Sequence, residues 1–103
     1  MRHIEFAPAA RAELDAAADR YELERPGRGL RFYAAVERAT KLIAAFPHAG
    51  PPFPGVGPHL EVRRRVVLGF PFVLAYRVVA DTLRIDAVAH THRRPNYWQR
   101  RIR

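Results

Sequence analysis

Residues 87–101 read AVAHTHRRPNYWQRR and gather two histidines, four arginines, a tyrosine and the single tryptophan of the chain. Four of them, His90, His92, Arg93 and Tyr97, are the side chains that metal-free RNA cleavage requires. Such a reaction needs a base that titrates near neutrality for the 2′-hydroxyl, a cation for the phosphate and an aromatic ring for a nucleobase. The same stretch also suits a contact surface, in which Arg93, Arg94, Tyr97 and Trp98, together with Arg64 and Arg77 from earlier in the chain, are the guanidinium and aromatic groups that meet a macromolecule. A plainer reading makes His90 the end of a strand, His92 a turn residue and Trp98 a cover for the sheet. His90-x-His92 resembles half of a metal site, but His3, His48 and His59 are remote and no cysteine is present, so no metal is expected.

Composition narrows the chemistry further. The 103 residues contain neither cysteine nor serine, which excludes disulfides, thiolate chemistry, serine hydrolysis and a P-loop. Only Thr40, Thr82 and Thr91 carry hydroxyls besides the tyrosines. Net charge is +8, and every one of the 18 cations except Lys41 is arginine. An anionic partner follows, either nucleic acid or an acidic protein. The longest apolar run, VVLGFPFVLAY, is broken by Gly69 and Pro71 and is too short to span a bilayer. The chain therefore reads as a cytoplasmic protein with no membrane contact and no cofactor.

Those residues need elements to place them, and the pattern supplies six in a single domain spanning 1–103. HIEF opens as a strand, and Pro8 suits the first turn of a helix. Ala10, Leu14, Ala17, Ala18 and Tyr21 then line one helical face up to ERPGRG. A second helix stripes Phe32, Ala35, Val36, Ala39, Ile43 and Phe46 until Pro47 stops it. PHAGPPFPGVGPH, residues 47–59, has five prolines and three glycines and must be a loop. Three strands follow at 60–68, 71–79 and 82–90, joined by links so short that they form antiparallel hairpins. The fold class is α+β, a helical hairpin packed on a small antiparallel sheet in the order β-α-α-β-β-β. In the last strand Leu83, Ile85, Ala87 and Ala89 share one face.

The run Arg63-Arg64-Arg65 splits across a strand, with Arg64 sharing parity with Leu60, Val62, Val66 and Leu68. Either Arg64 interrupts the core face or a bulge resets the register. Six carboxylates, Glu13, Asp15, Asp19, Glu22, Glu24 and Glu37, fall on the helices, where they read as a solvated face. No catalytic carboxylate pair is evident.

GFPFVLAYRV, DAVAHTHRRPNYW and the helix ending in AAFPHAGP, set in this element order, resemble the RelE/ParE superfamily of bacterial toxin–antitoxin toxins, nearer its ParE or plasmid-stabilisation branch. The resemblance implies a growth-inhibiting toxin neutralised by a ParD-like antitoxin, with promoter DNA reached only through that antitoxin. ParE-like members poison DNA gyrase without chemistry of their own, whereas RelE-like members cut mRNA on the ribosome. Against the RelE pattern, Arg64 takes a second-strand cation and Tyr97 the C-terminal tyrosine. Val66, Val73 and Thr91 fall where three further cations are expected. One lost transition-state contact costs roughly 100- to 1000-fold in rate, so gyrase is the expected target and mRNA cleavage through His90, His92, Arg93 and Tyr97 the alternative. A tail that leaves the sheet at Pro95 is expected to meet the target, so that deleting residues 96–103 removes toxicity and spares antitoxin binding.

Overall fold

Pro8 occupies the first turn of the first helix because its missing N–H would be unpaired there in any case. The computed structural model describes residues 2–102, so the two ends of the expected 1–103 domain lie outside the described residues. The elements are β1 (His3–Phe6), α1 (Pro8–Glu24), α2 (Arg28–Ala45), β2 (Arg63–Val67), β3 (Phe72–Val79) and β4 (Thr82–His90). Short 3₁₀ turns cover Pro58–Leu60 and Tyr97–Ile102.

The link between the helices is held by one carboxylate. Glu22 accepts hydrogen bonds from the backbone N–H groups of Gly27, at 2.9 and 3.1 Å, and Gly29, at 3.1 Å. Gly27 has a φ of +88°, a conformation that disfavours any side chain. Asp15 accepts from the Tyr33 hydroxyl at 2.7 Å and ties the two helices together midway. The expected apolar stripes of both helices are buried except at Tyr21, which is half-buried, and Phe46, which caps α2 and is 64% exposed.

The sheet runs β1-β4-β3-β2. β2, β3 and β4 pair antiparallel, and β1 joins β4 in parallel, so the antiparallel sheet gains a parallel edge. Its inner face meets the helices in a core that includes Leu14, Phe32, Ile43, Leu74 and Leu83. Its outer face carries a second, smaller core of Val62, Val73, Ala75, Ala87, Ala89 and Trp98. With both faces covered, the strands carry apolar residues on both sides.

Two local features depart from simple alternation. A register shift between Ala75 and Tyr76 leaves Asp86 as an extra residue in β4. Leu83 and Ile85 therefore face the helices, while Ala87 and Ala89 face the second core instead of sharing one side. The second feature is the start of β2, which begins at Arg63 and not at 60, because 58–60 make a 3₁₀ turn and Glu61 adopts a φ of 53°. Arg64 and Val66 pair with Ala75 and Val73, which places them on the outer face; Val67, opposite Phe72, fills the main core. Arg64 does not interrupt the helix-facing core, and no bulge in β2 is needed.

Candidate functional site

After His90 the chain turns sharply. His92 N–H donates to Nδ1 of His90 at 3.0 Å, and Arg93 N–H donates to the His90 carbonyl at 3.1 Å. Asn96, at φ 56°, then sends the chain back across the outer face, and its side-chain amide donates to the Pro54 carbonyl. The 3₁₀ turn that follows buries Trp98 to 1% exposure. Its indole meets the Phe53 ring edge-on, with centroids 4.8 Å apart. Trp98 is thus a core residue of the outer face, with little surface of its own left open.

The proline-rich loop that supplies Phe53 is itself anchored. Burial pushes the Tyr76 phenol above its usual pKa. Its hydroxyl donates to the Pro47 carbonyl at 2.8 Å and accepts from Gly50 N–H at 3.0 Å. Arg63 donates to the Gly50 carbonyl, and Phe53 N–H pairs with the Val62 carbonyl, so the loop lies along the first residues of β2.

Glu13 fastens the tail to α1. Its carboxylate accepts two hydrogen bonds from Arg101, at 2.9 and 3.1 Å, one from the Tyr97 hydroxyl, and one from Val88 N–H at 3.1 Å. Arg93 approaches to 3.8 Å and lays its guanidinium over the Tyr97 ring, 3.9 Å from the centroid. Burial, followed by the bond to Glu13, pushes the Tyr97 phenol up to about 12. That proton is held against transfer at neutral pH. Glu13 is therefore not part of a solvated face. It borders the apolar stripe three residues after Ala10 and four before Ala17, which is the one hint of burial the sequence offers.

The anticipated site residues separate into three groups. Arg64, His90, Arg93, Arg94, Tyr97 and Trp98 line one cleft of about 270 Å³ on the outer face. Its wall also includes Val73 and Thr91, two of the positions where a ribosome-dependent nuclease pattern calls for cations. His92 stands beside the cleft with its ring 5.2 Å from that of His90. Arg77 lies elsewhere, locked in a bidentate pair with buried Asp86 at 2.7 and 2.9 Å; these bonds push its pKa up. That pair ties Arg77 to β4, away from the cleft that holds the other anticipated contacts. Among the described residues, no three metal-capable side chains cluster, and no helix is long and apolar enough to cross a membrane.

The profile of a family described as the ParE toxin of type II toxin–antitoxin system, parDE, matches residues 4–95. Among solved structures, the chain is similar to one titled "Chromosomal ParDE TA system from P. aeruginosa". The TM-score is 0.74 and the identity 24%, over 89% of this chain and 98% of that one. No curated protein sequence matches.

Proposed function

The chain belongs to the ParE toxin family of type II toxin–antitoxin systems, and from that premise we propose that it arrests growth by binding and poisoning DNA gyrase in the cytoplasm until a cognate ParD-like antitoxin neutralises it. The whole 1–103 chain acts as one domain, and no cofactor takes part.

The observation that carries this reading is the make-up of the arginine-lined cleft. It combines Arg64 and Arg94, which form no ion pair among the described residues, with Val73 and Thr91, where nuclease chemistry would need more charge. Its tyrosine is tied to Glu13 with a phenol pKa of about 12, and so is a poor proton donor or acceptor at pH 7. Cations without matched proton-transfer groups favour grip over bond breaking. Arg64, Arg93 and Arg94 are the contacts for the target, and the Tyr97 ring, lying under the Arg93 guanidinium, positions it.

Induction of the toxin alone, and together with its antitoxin, tests this. Alone it should stop growth and raise the DNA damage response, and co-expression should restore growth. Arrest without DNA damage, accompanied by mRNA cut at codon spacing, would instead establish cleavage through His90, His92 and Arg93.

A further inference from the structure

β2 begins too late to cover the end of β3. Arg63 pairs with Tyr76, and the same register carried on would set Glu61 opposite Val78. Glu61 instead adopts a φ of 53° at the end of the 3₁₀ turn Pro58–Leu60, and the ladder stops short of it. Arg64 N–H donates to the Pro51 carbonyl, away from β3, so the backbone groups of Arg63 face Tyr76. By the alternation of an antiparallel pair, the N–H and C=O of Val78 point to the same side as those of Tyr76. What lies there is a pocket of about 330 Å³ with Val78 in its wall.

A concave, mainly apolar pocket of a few hundred cubic ångströms with a few convergent polar groups is the usual form of a small-molecule site. Pro47, Phe53, Val56, Val62 and Val78 supply the apolar wall here. Glu61 and Arg63 line the pocket too, and neither forms an ion pair among the described residues. Arg63 donates one guanidinium N–H to the Gly50 carbonyl at 2.8 Å and keeps further donors. One anion, one cation and an open strand amide therefore surround a greasy hollow. These charges choose between occupants, because a residue inside a peptide has neutral amides at both ends, whereas a free amino acid carries an ammonium and a carboxylate.

We propose that this pocket binds a free α-amino acid with an apolar side chain, of the size of leucine or phenylalanine, in the place left open opposite Val78. Its carboxylate accepts from Arg63 and from Val78 N–H, its ammonium donates to Glu61 and to the Val78 carbonyl, and its side chain packs on the apolar wall. Phe53 also lines the arginine cleft, so the ligand touches a ring shared with the contact surface. The inference stands apart from the gyrase reading, because Arg64, Arg93 and Arg94 do not line this pocket.

Calorimetric titration of the wild-type toxin with L-leucine and with L-phenylalanine tests this. At least one of them should bind saturably, one molecule per chain, with a dissociation constant below about 1 mM, and the Val78 amide should exchange more slowly in its presence. For leucine, 4-methylpentanoate is the analogue without the ammonium, and 3-phenylpropanoate is the analogue for phenylalanine. Glu61→Gln, a change at an exposed side chain, should weaken the amino acid by about tenfold and leave the analogue's affinity unchanged. Arg63→Gln should weaken both. An equal loss of amino acid and analogue in Glu61→Gln would show that Glu61 does not meet an ammonium and would overturn the inference. So would binding of N-acetyl-leucine amide as tightly as leucine, which would assign the pocket to a peptide segment. Absence of saturable binding by either amino acid up to about 10 mM would overturn it as well, and none of these results would touch the gyrase reading.

Discussion

A carboxylate that accepts from a phenol, a guanidinium and a backbone amide at once cannot keep all of them after conversion to an amide. Glu13 is such a group, and it is 14% exposed at the side chain. Glu13→Gln should lower stability by about 2 kcal/mol, measured by urea unfolding, because Arg101 loses its charged partner. The Tyr97 phenol should then titrate below about 12 by ultraviolet absorbance, although burial keeps it above the ordinary value of 10. The same shift predicts a pH dependence. The folded-state pKa is raised, so folding favours the neutral phenol, and that contribution is whole below pH 10 and lost as pH rises toward about 12. Unfolding midpoints should fall across that window in the wild type and less steeply in Glu13→Gln. The role of Glu13 was scarcely legible in the sequence, because its partners lie 84 and 88 positions away and helical periodicity reports only local neighbours. Tyr97 and Arg93, in contrast, stood out through their dense grouping with the histidines.

The tail and the proline-rich loop act as one lid over the outer face of the sheet, joined by the rings of Phe53 and Trp98. Trp98→Ala should cost about 3–5 kcal/mol, as expected for emptying a buried aromatic site. Deletion of residues 96–103 therefore removes a core residue and the Arg101–Glu13 pair, contrary to the expectation of a detachable tail. Toxicity should vanish in that truncation together with the cooperative melting transition. Gly50 is the matching point in the loop, because a Cβ there would lie 2.3 Å from the Arg64 carbonyl and 2.5 Å from the Tyr76 hydroxyl. Gly50→Ala should displace the loop and lower the melting temperature, and a wild-type melt would refute the close approach. The bounds of strands β1 and β4 were readable to the residue, since turn-forming or helix-starting residues flank each. The face change at Asp86 was not, because a bulge adds one residue without altering composition. The same limit hid the pairing of Arg77 with Asp86.

At the scale of the whole molecule, a charge of +8 surrounds a small fold whose cations are partly neutralised by its own carboxylates. Glu13 holds Arg101, Asp86 holds Arg77, and Glu5 bonds Arg84 across β1 and β4. Other arginines lie on both helices, and Arg64, Arg93 and Arg94 line the cleft, where an anionic partner can dock. Association driven by them should weaken as salt rises, because screening shortens the reach of exposed charges to about 10 Å at 0.1 M. Element order and charge sign were legible from residue patterns, whereas the division of arginines into paired and free required the folded arrangement. Supercoiling by purified gyrase, with purified toxin added, is the most direct test of the target. A gyrase poison should block supercoiling or trap cleaved DNA, lose most of that effect in the Arg93→Ala/Arg94→Ala double variant at unchanged melting temperature, and be silenced by the antitoxin. Unimpaired supercoiling at toxin excess, from a preparation that clips mRNA in a translating extract, would contradict it.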